Sequence, residues 1–248
     1  MKIPKKSLSI LAISAASLNA SAQSTDRPHV AKLNVLGLVT GTFSAQYEHA
    51  LPGKFSFAAA VNLRPAGKVP MRGFFNDFVD VDDSISNRLL QDSRASHFAI
   101  TPEVRYYFGR RPLTGFYTAL YARYASSAVS VDYTYTSGTD VYPVSLNARG
   151  TSVGAGVLLG AQFSLSQRIV VDWWMAGASI NRTSFDVNGR ANLSEVSEAN
   201  RESAKEVIES KEVFNGAFDA TITDHGGSAV GKLTLPGFRT GLCIGVRF

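Results

Sequence analysis

Apolar and polar side chains alternate along the last eleven residues of the chain. From Phe238 to Phe248 one parity reads Phe, Thr, Leu, Ile, Val and Phe, and the other reads Arg, Gly, Cys, Gly and Arg. A period of two places successive side chains on opposite faces of a β-strand. The alternation recurs along the chain, and the pattern predicts eight strands over residues 31–38, 41–50, 55–63, 98–108, 116–126, 151–163, 169–179 and 238–248.

The predicted strands are joined by two kinds of connection. Residues 51–53, 109–115 and 164–167 are short and contain turn formers, whereas residues 65–94, 127–146 and 181–232 are long. Short and long connections alternate, except that the first one, near Thr40 and Gly41, is tight although it falls on the long side. This layout is typical of outer-membrane barrels, which have short periplasmic turns and long extracellular loops.

The longest connection contains a helical pattern. Between Val196 and Val213, apolar residues recur mostly at spacings of three to five among many charged ones, which predicts an extracellular helix. The helix is interpreted either as a contact surface for a partner or, more simply, as a solvated cap.

Three features indicate that the apolar parity faces lipid. The opposite parity is rich in Gly, Ala and Ser, which suits the narrow interior of an eight-stranded barrel. Aromatic residues of the apolar parity gather at both strand ends, as in the girdles of membrane barrels. The chain also stops inside a strand, at Phe248. The predicted fold class is therefore all-β: an eight-stranded antiparallel up-and-down transmembrane β-barrel with long extracellular loops, one containing a helix.

The same assignment directs charged side chains into the lumen. We interpret them as a closed network of ion pairs, centred on Glu48, Glu103, Arg105 and Arg123, because isolated buried charges are very costly. A pore lining or an anion site is the alternative. Arg64, at a strand end, is expected to be solvated. The predicted network comprises Lys32, Glu48, Glu103, Arg105, Arg123, Asp172, Arg239 and Arg247.

The N-terminus has the pattern of a secretory signal peptide. Three lysines precede a short apolar run over residues 7–18, and the small residues Ala20 and Ala22 form a cleavage motif immediately before Gln23. The run is too short for an uncleaved anchor, which needs about 20 residues. We therefore predict a signal peptide over 1–22 and one barrel domain over 23–248. Without the signal, 22 basic residues face 20 acidic ones, a balance that indicates no nucleic-acid binding.

Few residues offer catalytic or metal chemistry. Cys243 is the single cysteine, which excludes an intramolecular disulfide, and the four histidines are scattered, so no metal or cofactor is expected. Gly150 to Gly154 match the Gly-x-Ser-x-Gly form but open an alternating strand with no helix behind it. A lipid-modifying enzyme would need a Ser, His and acid at one rim. His97 beside Ser96 and Ser93, and Asp224-His225 in the longest loop, are candidates for such a triad. Nothing in the spacing selects one, and no catalytic residue is predicted.

Two segments resemble known outer-membrane proteins. The C-terminal strand resembles the recognition strand of such barrels, which implies a barrel-assembly signal made by Phe238, Leu242, Ile244, Val246 and Phe248. The run from Lys32 to Glu48, followed by a short turn and Phe55-Ser-Phe, resembles the start of uncharacterised small outer-membrane β-barrel proteins of the Bacteroidota. The resemblance implies a fold and a location without a reaction.

The sequence thus predicts a non-enzymatic protein in the outer membrane of a Gram-negative bacterium. Its expected partners are outer-membrane lipid and the barrel-assembly machinery, together with an unidentified surface partner. A structural or surface-interaction role is favoured, because loops on a rigid scaffold commonly carry function. The alternatives are a narrow channel for small solutes or ions and a lipid-modifying enzyme. A water-soluble ligand-binding barrel with the two faces exchanged would have the same alternation.

Overall fold

The computed structural model describes residues 27–68, 93–137, 140–194, 197–202 and 218–248. The predicted signal peptide with Ala20 and Ala22, residues 69–92 of the first long connection and most of the predicted helix lie outside the described residues. Within the described part of the chain, no helix is long and apolar enough to cross a membrane.

The described chain is almost entirely β-structure, as the alternation predicts. It contains a five-residue helix, a helical segment over residues 198–202, and nine strands. In chain order the elements are β1 (His29–Asn34), α1 (Val35–Val39), β2 (Phe43–Ala50), β3 (Phe55–Lys68), β4 (Arg94–Tyr107), β5 (Gly115–Ser137), β6 (Asp140–Ser164), β7 (Ile169–Arg190), β8 (Phe218–Thr223) and β9 (Gly226–Arg247).

All nine strands belong to one antiparallel sheet that closes on itself. Its order is β1-β2-β3-β4-β5-β6-β7-β9-β8, and β1 also pairs with β9. The closing register aligns Ala31 with Val246 and Leu33 with Ile244. Among the described strands, β8 pairs with the N-terminal part of β9 alone. Strands β1 to β7 and β9 therefore form a closed ring, and β8 pairs with β9 beside it.

The two faces of the ring are inverted relative to a water-soluble protein. Large apolar side chains cover the outside: Leu120 is 68% exposed, Ile180 is 69% exposed and Phe238 is 75% exposed. Charged side chains occupy the inside, where Glu48 and Arg105 are fully buried. Because strand residues alternate between faces, the period of two in the sequence produces this inversion directly.

The predicted eight strands all overlap observed strands, but the first one ends early. Asn34 caps a helix: its side-chain oxygen accepts hydrogen bonds from the backbone N–H of Leu36 at 3.1 Å and of Gly37 at 3.2 Å. Residues 35–38, which the alternation assigned to a strand, are therefore helical. The cap explains the error, since a local side-chain hydrogen bond competes with the sheet.

Two of the predicted long loops contain long stretches of strand. β5 runs on to Ser137 and β6 begins at Asp140, so the described residues between 127 and 146 belong to two paired strands rather than to a loop. In the same way β7 continues to Arg190, and β8 and β9 occupy much of the connection predicted over 181–232. The described chain thus has nine strands, one more than the eight predicted, since β8 was not predicted. The apolar contrast between faces fades in these extensions, while backbone pairing continues.

The three predicted short turns are confirmed at one end of the ring, which we call the short-turn end. They span residues 51–54, 108–114 and 165–168. Gly53 and Gly115 have φ of +78° and +95°, a region that favours glycine. Leu113 has φ of +64° and points into the ring, where it is only 4% exposed. The opposite end, where β5, β6, β7 and β9 extend furthest, is called the long-strand end.

Glycines on the inner face of β6 make room for large interior side chains. A Cβ on Gly156 would lie 2.7 Å from Cζ of Tyr121 and 2.2 Å from the backbone oxygen of Ala178. Gly156→Leu should therefore lower the free energy of unfolding by about 1–3 kcal/mol. Guanidinium unfolding followed by the fluorescence of Trp173 and Trp174 measures the change.

The neighbouring residue provides a matched control. Ala155 points to the outer face of the same strand and is exposed, so Ala155→Leu should change the free energy of unfolding by no more than about 0.5 kcal/mol. Equal effects of the two substitutions would contradict the assignment of the inner and outer faces.

Candidate functional site in the interior of the ring

The most distinctive site is a cluster of buried charges that fills the middle of the ring. Lys32 on β1 lies at its centre. Its ammonium group donates to Gln162 Oε1 at 2.7 Å, to Asp172 Oδ2 at 2.6 Å and to Glu48 Oε2. An ammonium group has three donors, and here each has an acceptor. The acceptors come from β2, β6 and β7, so the bonds cross the interior.

Arg105 on β4 forms the second centre. Its Nε and Nη2 donate to Glu103 Oε2 at 3.1 and 3.0 Å, and its Nη1 donates to Asp172 Oδ2 at 2.7 Å and to Glu48 Oε2 at 3.2 Å. Nη2 also donates to Gln46 Oε1 at 3.0 Å. The guanidinium lies 4.4 Å from the ring centre of Tyr117. Such charge-assisted, planar contacts are the ones for which arginine is suited.

Neutral donors complete the coordination of the carboxylates. Glu48 accepts hydrogen bonds from the hydroxyls of Ser56 and Tyr107, the latter at 2.7 Å. Asp172 accepts from Tyr117 Oη at 2.7 Å and from Trp174 Nε1 at 3.2 Å. Buried carboxylates persist only when they are paired and hydrogen-bonded. These neutral groups therefore stabilise the charged state that the ion pairs require.

Arg239 on β9 extends the network toward the long-strand end. Its Nη2 donates to Glu103 Oε1 at 2.7 Å, and its guanidinium stacks 4.0 Å from the ring of Trp174 and 5.2 Å from that of Tyr121. Three cations, Lys32, Arg105 and Arg239, thus face three carboxylates, Glu48, Glu103 and Asp172. The formal charge of the network is zero.

A small apolar cluster closes the network at the short-turn end. Leu113 packs with Val30 and Val170, all at most 4% exposed. The backbone oxygen of Leu113 accepts from Gln162 Nε2 at 2.9 Å and from Arg247 Nη2 at 2.8 Å. The β4–β5 turn therefore places one apolar side chain inside the ring and ties it to the polar layer.

The structure brings together six of the eight predicted network residues and leaves two apart. Arg123, predicted at the centre, is half-buried nearer the long-strand end and donates to His97 Nε2 at 3.2 Å. Arg247 binds the backbone of Leu113 at the opposite end. Arg64, predicted to be solvated, is half-buried and donates to the backbone oxygen of Lys68 at 3.3 Å.

Sequence reasoning missed the neutral members of the network. They share the parity of the charged residues, and that parity is the signal by which they could have been found. Together with the charged residues they give every strand of the ring, β1 to β7 and β9, a side chain in the network; the missed residues are Gln46, Ser56, Tyr107, Tyr117, Gln162 and Trp174.

One serine and one histidine meet inside the ring, but in an arrangement that does not activate the serine. His97 Nδ1 lies 2.8 Å from Ser127 Oγ, while His97 Nε2 faces Arg123. An arginine can only donate, so Nε2 must be the acceptor and a neutral imidazole carries its proton on Nδ1. His97 then donates to Ser127 and cannot remove its proton, as a catalytic base must.

The described residues place no group of three or more His, Cys, Asp or Glu side chains in a position to hold a metal ion. Cys243 is buried beside the network, as a free thiol.

The ring defines a class of β-rich protein with a charged interior and an apolar exterior. By sequence the chain belongs to a family described as protein of unknown function (DUF3575), whose model matches residues 8–187. The expectation of an uncharacterised family is thus confirmed. The match ends within β7, before the strand that closes the ring. No curated protein and no solved structure matches the chain.

The network predicts that substitutions of two lysines differ strongly in their effect on the free energy of unfolding. Lys32→Met removes one of the two cations that Glu48 and Asp172 share, the other being Arg105. Breaking a buried ion pair in this way costs about 3–5 kcal/mol. Lys232→Met, at an exposed position on β9, should cost no more than about 0.5 kcal/mol. The free energy of unfolding in guanidinium measures both. A Lys32→Met protein as stable as the control would show that the network contributes nothing to stability.

Proposed function

We propose that this protein is a non-enzymatic β-barrel of a Gram-negative outer membrane, with a structural or surface-interaction role. In this proposal β1 to β7 and β9 form an eight-stranded transmembrane barrel, and β8 lies beyond the membrane beside the end of β9. The proposal includes the predicted signal peptide and a relationship to small barrels of the Bacteroidota.

The observation that carries the proposal is the apolar outer face of the closed sheet. Exposed side chains such as Leu120 and Val157, which are directly paired on β5 and β6, form part of that face. Monomeric proteins in water rarely expose apolar patches above a few hundred Å². Lipid removes this penalty, and a closed sheet leaves no unpaired edge inside the membrane.

The spacing of exposed aromatic residues fits the thickness of a membrane. Phe116 and Tyr124 on β5 are 57% and 45% exposed and lie eight positions apart. Eight residues extend about 26 Å along a strand, or about 20 Å along the membrane normal at the usual tilt near 40°. This distance is close to the apolar band of about 25 Å in known membrane barrels.

The two ends of the ring support one orientation. Short turns characterise the periplasmic side of membrane barrels and long extensions the outer side. β5, β6, β7 and β9 are 22 to 25 residues long, about twice the 9–11 residues that a tilted strand needs to cross a bilayer. The extensions would therefore stand above the outer surface, where a partner can reach them.

The C-terminal strand has the features expected of an assembly signal. Phe238, Ile244, Val246 and Phe248 are all exposed on the outer face, at 49% or more. They are thus available to the barrel-assembly machinery during insertion and to lipid afterwards. Leu242 is half-buried on the same parity.

The filled interior favours a structural role over a channel. Both partners of every ion pair made by Lys32 and Arg105 have fully buried side chains, and Leu113 packs below them. A conducting path would require these bonds to break. An eight-stranded barrel has an interior just wide enough for its side chains to fill.

Membrane insertion is tested by placing a charge on the outer face. Leu120 lies midway between Phe116 and Tyr124, so Leu120→Arg should lower the stability of the folded protein in phospholipid vesicles by about 2–4 kcal/mol. Val230→Arg, at an exposed position on the extension of β9, should lower it by no more than about 1 kcal/mol. The gel mobility of unheated and boiled samples reports the folded fraction.

A water-soluble monomer without a heat-dependent mobility shift would overturn the membrane assignment and indicate a ligand-binding barrel in water. Equal effects of the two arginine substitutions would do the same, because depth in the membrane would then be irrelevant.

The sealed interior predicts that the protein does not conduct. Reconstituted into a planar bilayer, the wild-type protein should give no stepwise current above that of the bilayer alone. Reproducible single-channel steps would instead assign the narrow channel, and the ion-pair network would then have to be a gate.

A further inference from the structure

The ring contains a cavity above the charge network, toward the long-strand end. Its volume is about 270 Å³, and it lies on the inner faces of β5, β6, β7 and β9. This volume is near the lower limit of small-molecule sites, so the cavity suits a small ligand or one group of a larger one. Residues from all four strands line it, among them Arg123, Ser152, Asn181, Thr183 and Arg239.

The charge of the cavity is entirely positive. Arg123 and Arg239 both line it, and no carboxylate among the described residues does so. Glu103, the carboxylate that pairs with Arg239, already accepts hydrogen bonds from Gln46, Arg105 and Arg239. Arg123 is therefore a cation in excess of the balanced set of three cations and three carboxylates.

Both arginines have unused capacity for hydrogen bonds. Arg239 is only 7% exposed. Its Nη1 is buried and makes no hydrogen bond within the described part of the chain. Arg123 donates to the neutral nitrogen of His97, which supplies no compensating charge. A buried donor without a partner and a partly buried cation without an anion are both unfavourable.

The remaining lining suits an oxyanion. The hydroxyls of Ser152 and Thr183 are 3.1 Å apart, and the amide of Asn181 donates to Ser179 Oγ at 3.0 Å. Hydroxyl and amide groups are donors that can supplement arginine around a phosphate, sulfate or carboxylate. Trp174 and Tyr121 stack on Arg239 and hold its guanidinium at the floor of the cavity.

We propose that this cavity binds a small oxyanion group, such as phosphate, sulfate or carboxylate, between Arg123 and Arg239. The anion would enter from the long-strand end and neutralise the excess charge of Arg123. The inference depends on the interior geometry of the ring and not on the location of the protein in a membrane.

The experiment is a titration of the purified full chain with inorganic phosphate by isothermal calorimetry, in a buffer without other oxyanions. Arg123→Gln removes the excess cation and leaves the described ion pairs in place. Losing a charged hydrogen bond should weaken phosphate binding by at least about ten-fold. Arg182→Gln is the matched control, since Arg182 is exposed on the outer face of β7 between Asn181 and Thr183, and should leave the affinity within about two-fold.

Folding of each variant is checked by its gel mobility before and after boiling, or by its unfolding midpoint if the protein is soluble without detergent. Phosphate binding that Arg123→Gln weakens and Arg182→Gln preserves supports the site. Absence of phosphate binding by the wild-type chain, or equal binding by Arg123→Gln and the wild type, overturns it. Glycerol phosphate in a parallel titration identifies the source: tighter binding than phosphate assigns a phosphate ester, and weaker binding assigns the free anion.

Discussion

The rest of the structure depends on the balance of buried charge inside the ring. Lys32 and Arg105 each contact more than one carboxylate, so a single missing partner leaves charge uncompensated in the interior. This balance also constrains the sheet. A slip of one residue in any strand would turn its inward side chains outward, and would remove that strand's contribution to a network in which every ring strand takes part.

The alternation of side chains along each strand produces an outer and an inner face with different requirements. The outer face presents large apolar side chains, and the inner face must hold long polar ones in a narrow space. Small residues on the inner face make that possible: Gly160 lies where a Cβ would meet the Tyr117 ring at 2.4 Å. Tyr117 can then reach Asp172 across the interior. Glycine on one strand thus allows a tyrosine on its neighbour to hydrogen-bond a carboxylate on a third.

The two ends of the ring differ in the same physical terms. At the short-turn end, Leu113 and its apolar neighbours close the interior. Toward the long-strand end, the network gives way to a cavity in which positive charge is unbalanced. We propose that this basic cavity holds a small anion, above a middle layer that the buried ion pairs fill.

The sequence by itself determined the class of fold, the short turns and the face on which each charged residue lies. The fold class and the faces follow from a period of two, and the turns follow from short connections with turn-forming residues. Both signals are local and can be read from short stretches of sequence. Only the tertiary structure decided which charges meet. Lys32 and Gln162 are 130 positions apart, and Arg123 lies outside the network although its parity is the same. Arg123 lies nearer the long-strand end than the network does, and the position of a residue along the axis of the ring depends on the register of every strand.

Other elements were missed because their cause is not an apolar pattern. The Asn34 side chain caps the helix at Val35–Val39. Backbone pairing determines β8 and the extensions of β5 to β7.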